Sequence, residues 1–199
     1  MCIRDRDEPK ICNYIDLPLQ HISDPILTAM KRQISKEETI QLVQTIRDKI
    51  PGIHFRTTFL VGFPGETDAI FQELCEFVRF AKFERMGVFQ YSQEEDTSAY
   101  QLGDLVSPET KEARAAELMA IQEDISYELN QKKLNKVYKV LIDKKENNYY
   151  FGRTEFDSPE VDNDVLFENP STNYLRIGDF VNARIIKADA YDLIAVPEF

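Results

Sequence analysis

Three short segments of this 199-residue chain place glycine, polar and aromatic residues where a strand-like run gives way to a helix-like one. They are Asp16-Leu17-Pro18-Leu19-Gln20-His21-Ile22-Ser23-Asp24, then Arg56-Thr57-Thr58-Phe59-Leu60-Val61-Gly62-Phe63-Pro64-Gly65-Glu66-Thr67, then Gly87-Val88-Phe89-Gln90-Tyr91-Ser92. Their chemistry is that of binding: hydroxyls, an amide, a guanidinium and aromatic rings, with no nucleophile set beside a base. Gly62, directly after a buried strand, lets the backbone approach a ligand closely. Gly65 permits the turn, and Glu66 and Asp68 stand where a helix N-terminus favours negative charge. Taken alone, the second segment is equally well explained as an ordinary strand–helix turn with a capped helix. Arg56 offers charge-assisted hydrogen bonds to a ligand carboxylate, or serves in a surface ion pair. Ser23 lines a cavity or caps a helix; Phe89 and Tyr91 stack on a ligand ring or fill core.

The sequence offers no metal clip. Its three cysteines, Cys2, Cys12 and Cys75, are 10 and 63 residues apart, and an odd count argues against a disulfide framework. Cys75 falls on the apolar stripe of a helix and reads as a core thiol. His21 and His54 have no ligand-spaced Cys or His, so neither is assigned a metal or catalytic role. A reducing, cytoplasmic setting fits this usage. The formal charge of −11 and pI near 4.7 repel phosphates and attract basic partners, and no basic stripe of the nucleic-acid type is evident. No run of about 18 apolar residues exists to span a membrane. The N-terminus carries charges without an apolar core, so it is not a secretory signal. It runs almost straight into a strand, so the chain is expected to begin mid-domain, with residues 1–6 a scar of truncation or assembly.

The segments need elements to position them. Residues 11–17 read as a strand stopped by Pro18. Asp24 or Ser23 then caps a helix with Pro25 at its first position. Ser35-Lys36-Glu37-Glu38 is a capping box ahead of Ile40, Val43, Ile46 and Ile50, and Pro51-Gly52 ends that helix. A strand over 53–61 leads into the Gly62 turn and a helix with the stripe Phe71, Leu74, Cys75 and Val78. A strand over 86–91 and a polar loop precede a long helix opened by Ser107-Pro108-Glu109, with Leu118, Ile121, Ile125 and Leu129 inward. This order implies a parallel sheet with right-handed crossovers, too few units to close a barrel. From Leu134 the texture turns to short β runs at 137–142, 149–153, 164–167, 180–187 and 192–196, separated by turn residues. Five short strands predict a small OB-like antiparallel barrel.

Together the three segments resemble the radical-SAM methylthiotransferases. Each lies at the C-terminal end of a predicted parallel strand, where barrels of this type place their active sites. Gly152-Arg153-Thr154-Glu155-Phe156-Asp157-Ser158-Pro159-Glu160-Val161-Asp162 resembles the TRAM domain that follows the barrel in that family. The wording Leu19-Gln20-His21 and the run Asp157 to Asp162 are closer to the ribosomal-protein branch (the RimO family) than to the tRNA branch (the MiaB family). The resemblance covers nearly everything beyond the first ten residues. It implies an α/β fold: the C-terminal part of an incomplete, TIM-like radical-SAM barrel over 1–133, then an all-β TRAM domain over 134–199. It also implies an S-adenosylmethionine cavity lined by Gln20, Ser23, Arg56, Thr58, Gly62, Phe89 and Tyr91, with the two rings on the adenine. One departure is Asp96, where a glycine would be more usual, so that loop is given no ligand role.

The same resemblance implies what the chain does. Family members hold one 4Fe-4S cluster on three closely spaced cysteines and a second in an N-terminal domain; neither ligand set is in this sequence. The chain is therefore expected to be a C-terminal fragment, inert by itself. In the intact enzyme, cleavage of S-adenosylmethionine yields a radical that removes a hydrogen from the β-carbon of an aspartate on the twelfth protein of the small ribosomal subunit. A methylthio group is then added there. The residues visible here position cofactor and substrate, and none is catalytic. From Leu134 onward 8 Lys and Arg face 12 Asp and Glu, a balance that suits a basic ribosomal protein better than tRNA. The other readings are a fragment of the tRNA-modifying enzyme and a non-catalytic TRAM binding module. An open sheet edge would promote aggregation.

Overall fold

The structure is a computed structural model that describes residues 8, 10–168 and 175–198. The stretch 1–6, read above as a scar, and Cys2 lie outside the described residues. Two compact units result: Ile15–Gln122, and Glu123–Phe199 together with the segment ending at Tyr14.

In the first unit, strands and helices alternate as expected: β1 (Tyr14–Asp16), α1 (Asp24–Ala29), α2 (Lys36–Lys49), β2 (His54–Val61), α3 (Asp68–Ala81) and β3 (Arg85–Gln90). A 3-10 turn at Tyr100–Leu102 leads to the long helix α4 (Pro108–Gln131), within which the boundary between units falls. The sheet order is β1-β2-β3, and β2 and β3 run parallel from Arg56 opposite Arg85 to Val61 opposite Gln90. β1 is shorter than the sequence suggests mainly at its start, where residues 11–13 stay outside the strand, and it ends before Pro18, which has no N–H to give the ladder. The chain past it still tracks β2, through Leu17 N–H to Arg56 O and Gln20 N–H to Thr58 O.

Local chemistry sets these boundaries. Ser35 and Glu38 exchange both bonds of the capping box that opens α2, and the Thr67 side chain accepts the Ile70 N–H at the start of α3. The α3 stripe Phe71, Leu74, Cys75 and Val78 is buried. Burial pushes the Cys75 thiol up to about 11, so it stays protonated and serves as core.

β2 alternates strictly between half-buried and buried positions. Phe55, Thr57, Phe59 and Val61 turn inward; Phe55, Phe59, Phe77 and Phe83 form one aromatic cluster with ring centroids 5.4 to 6.2 Å apart. Each such buried ring contributes roughly 1.5–3 kcal/mol. The opposite face carries Arg56, Thr58 and Leu60, beside Gly87 and Phe89 on β3. Phe89 is 64% exposed there. Parallel sheets ordinarily have both faces covered, so this is the inner face of a barrel arc that the described residues do not close.

The second unit holds β4 (Val137–Glu146), β5 (Tyr149–Thr154), β6 (Asp164–Glu168), β7 (Phe180–Ala188) and β8 (Asp192–Glu198), closed in the order β4-β5-β6-β8-β7. Four pairings are antiparallel and the β6–β8 pairing is parallel. Strand direction cannot alternate all the way round a ring with an odd number of members, so closure forces one parallel seam. Val140, Ile142, Val165, Phe167, Ala183, Ile185 and Leu193 fill the interior. The loop after β5 bonds to itself: Thr154 Oγ1 to Asp157, and Ser158 N–H to Asp162 Oδ2 at 2.8 Å. Tyr14, from the far end of the chain, gives its hydroxyl to the same Asp162 oxygen at 2.8 Å.

Asp164 faces Asp192 across the seam. Burial raises both carboxyls above the usual range; for Asp164 the charges of Asp192, Asp143 and Asp157 add to it against Lys144. A raised value in the folded state means that the folded barrel takes up the proton first. The cost of holding the charge is therefore present at neutral pH. It is relieved as pH falls through the raised value toward the ordinary aspartate value of about 3.9. Asp164→Asn is expected to raise the urea midpoint of the barrel at neutral pH, and the gap from wild type should narrow on acidification. A gap that widens instead would contradict this.

Candidate functional site

The first-unit loops converge along the C-terminal half of β2. Gln20 forms an isolated parallel bridge with Phe59, giving its N–H to Thr58 O and accepting Leu60 N–H, both at 2.8 Å. Its φ is +72°, a left-handed kink that costs a non-glycine residue roughly 1–2 kcal/mol. Gly62 ends β2 with φ +76°, and Tyr91, just past β3, gives its N–H to Val61 O at 2.9 Å. Gln20, Gly62 and Tyr91 thus share one rim.

The other sequence candidates lie elsewhere. Thr58 and Phe89 sit on the uncovered face below the rim, opposite Gly87 and Leu60 respectively. Arg56 is not brought to the rim: six residues short of Gly62 at roughly 3.3 Å each, it lies at the level of Asp16 and reaches that carboxylate at 3.4 Å. Ser23 is buried, and its side chain makes no cap bond. Its hydroxyl meets Glu73 instead. Burial works to raise the Glu73 carboxyl, but hydrogen bonds from Lys36 and Ser23 and the charge of Lys36 outweigh it and hold that carboxyl below its ordinary value. Tyr91 is buried edge-on against Phe63 with centroids 5.1 Å apart, and its hydroxyl donates to Ala99 O. It is core. Asp96 has φ +63°, the conformation in which the glycine expected there is at ease.

What the sequence reading missed is a set of buried charges behind the rim. Glu66 Oε2 accepts Gly62 N–H at 2.9 Å, and its Oε1 accepts Arg114 at 2.9 Å. Lys111 donates to Tyr91 O at 2.8 Å and to Asp104 at 2.6 Å. Its stem fills the space beside Gly62, where a Cβ would stand 2.4 Å from Lys111 Cγ. The neighbour that approaches Gly62 so closely is therefore a side chain of α4. The signal was present in the sequence: Lys111 and Arg114 lie one turn apart in the first turns of a helix, where the macrodipole disfavours cations. Such placement calls for anionic or carbonyl partners.

No group of three or more His, Cys, Asp or Glu side chains among the described residues is arranged to hold a metal ion. No helix of the described residues is long and apolar enough to cross a membrane. The uncovered face does suit a small polar ligand bearing a flat ring, since it offers the Thr58 hydroxyl and the open ring of Phe89.

Comparison with known proteins agrees with this architecture. Residues 6–78 match the radical SAM superfamily, and residues 136–197 match the TRAM domain. The chain is 52% identical over 190 residues to the ribosomal protein uS12 methylthiotransferase RimO of Flavobacterium psychrophilum, covering 96% of this chain and 44% of that protein. The proteins of that name from Cytophaga hutchinsonii (52% over 187 residues, 94% of this chain, 43% of that one) and Bacteroides thetaiotaomicron (51% over 194 residues, 97% and 44%) are similarly related. The chain thus spans less than half the length of the curated relatives it matches. Among solved structures, coproporphyrinogen III oxidase (HemN) of Escherichia coli, a radical SAM enzyme, shares the fold with a TM-score of 0.50 at 15% identity, over 72% of this chain and 41% of that one. With the parallel arc and the closed barrel matching the radical SAM superfamily and the TRAM domain in order, the chain is similar over nearly its whole length to part of the ribosomal protein uS12 methylthiotransferases.

Proposed function

We propose that this chain is the cofactor-rim and partner-binding portion of an enzyme that methylthiolates the β-carbon of an aspartate on ribosomal protein uS12, in the cytoplasm. The observation that carries this reading is the identity of about half of all residues over nearly the whole chain with relatives of that name. In this reading residues 1–133 belong to the barrel and 134–199 to the TRAM domain. Bound S-adenosylmethionine would supply the radical that opens the β-carbon to attack. The chain's own residues bind and orient: the Gln20 amide and the Thr58 hydroxyl hold polar groups of the cofactor, and Phe89 offers its ring to the adenine. Arg56 and Ser23 take part only indirectly, through Asp16 and Glu73. The two 4Fe-4S clusters have no ligands here, so the chain alone is inactive.

The acidic TRAM barrel suits a basic protein partner. One observation favours a second reading, tRNA binding: Lys139, Lys144 and Lys145 of β4 lie over the rings of Phe180, Phe151 and Tyr150 at 4.6, 4.8 and 4.9 Å. Cations interleaved with aromatic rings are what single-stranded nucleic acids use. Titrating the chain at low salt with purified uS12 and, separately, with tRNA decides between them. Binding of uS12 that weakens with salt, and none of tRNA, is the expected result. Salt-sensitive tRNA binding without affinity for uS12 would overturn it.

A further inference from the structure

We propose that His21 and Glu66 are positioning residues, a buried lock that joins the loop after β1 to the turn after β2 and holds Gln20 in its left-handed kink. Both side chains are wholly buried. His21 Nδ1 accepts the Ser23 N–H at 3.0 Å, which places the ring proton on Nε2. That N–H faces Glu66 Oε2 at 3.6 Å and has no hydrogen-bond partner. Buried N–H groups nearly always find an acceptor, and the acceptor presented to this one is the Glu66 carboxylate. A small drawing-in of the loop brings the pair to the usual length of about 2.9 Å.

The same Glu66 oxygen already holds Gly62 N–H at 2.9 Å, and Arg114 fixes the other at 2.9 Å. One carboxylate therefore ties the first loop, the second turn and α4 together. Gln20 is the residue this benefits. It is strained by its φ of +72°, it is followed directly by His21, and it is pinned on both sides by β2. A histidine one position on, held at Nδ1 by the Ser23 N–H and facing the Glu66 carboxylate with Nε2, keeps the kink from relaxing.

The importance of the lock to an enzyme rests on the rim being the cofactor mouth; its existence does not. Nitrogen-15 NMR of the imidazole in the 199-residue chain, without any ligand, is expected to show the tautomer protonated at Nε2. Amide exchange of Gln20 and Gly62 is then compared in His21→Phe, which keeps a flat ring without nitrogens, and in His21→Gln. The glutamine amide can accept from Ser23 and donate to Glu66. The Phe variant is expected to exchange roughly tenfold faster at both amides, the size of one lost hydrogen bond to a charged group, and the Gln variant to recover most of the protection. A filler role gives the reverse order, with Phe protecting and Gln not, and would overturn the lock, as would a ring protonated at Nδ1. If the Phe variant does not fold, the tautomer in the wild-type chain decides alone. An intact lock in a chain that fails to bind S-adenosylmethionine would count against the cofactor reading and leave the lock standing.

Discussion

Arg114→Met is expected to lower the unfolding free energy of the unit Ile15–Gln122 by about 3–5 kcal/mol, the cost of stranding a buried carboxylate without its counter-charge. Glu66 has no exposed side-chain surface and Arg114 very little. The guanidinium also donates to the Glu66 main-chain carbonyl, so its loss leaves two acceptors unsatisfied behind the rim. The second ion pair of Arg114, at 2.7 Å to Asp68, involves a carboxylate that is 96% exposed. Exposed pairs contribute about 0–1 kcal/mol. Asp68→Ala should therefore shift the urea midpoint little, and Arg114→Met greatly. Replacing both Glu66 and Arg114 by apolar residues should recover only part of the loss, because Gly62 N–H then has no acceptor. Equal effects of Asp68→Ala and Arg114→Met in denaturant melts would show that the buried pair is not what stabilises the turn.

Gly152→Val is expected to be as damaging in the other unit. A Cβ on Gly152 would lie 2.3 Å from Leu141 O and 2.7 Å from Val140 Cγ1. The first is backbone of the paired strand and cannot swing aside. Gly152 opposes Ile142, beside a register shift between Ile142 and Lys144, so the two backbones approach closely where the barrel wall bends. Overpacking a core usually costs about 1–3 kcal/mol. Here the clash falls on ladder bonds as well, so a loss of about 3 kcal/mol or more is expected even for Gly152→Ala. Loss of dispersed methyl signals from Val140, Ile142 and Val165 at temperatures where wild type keeps them would report it. A Gly152→Ala chain with an unchanged melt would show that β4 and β5 can separate at no cost.

Much of this was legible in the residues. The stripe Phe71, Leu74, Cys75 and Val78 and the capping box at Ser35 are local rules, so the structure repeats them closely. The five barrel strands were read to within a few residues because turn residues bracket each one. The parallel seam between β6 and β8 was not foreseen, since it follows from closure of the ring and not from any strand's own sequence. The rim was legible in part. Gln20, Gly62 and Tyr91 follow predicted strands and do meet. Arg56 fails to join them because position along a parallel strand, not mere membership of it, decides which end a side chain serves. Arg114 was passed over, Glu66 was read only as a charge at a helix start and His21 was given no role, because the partners that join them are 45 and more residues distant in sequence. Arg114 and Lys111 betrayed themselves only by being cations at the wrong end of a helix.

The bond between Tyr14 and Asp162 spans 148 residues and makes the barrel unit discontinuous, one piece from each end of the chain. During translation at roughly 5–20 residues per second, Tyr14 leaves the ribosome on the order of ten seconds before its acceptor exists. The barrel therefore finishes assembling only after the intervening α/β arc has been synthesised. An expression clone that starts at β4 would lack the tyrosine that fastens the loop after β5, even though it contained every strand.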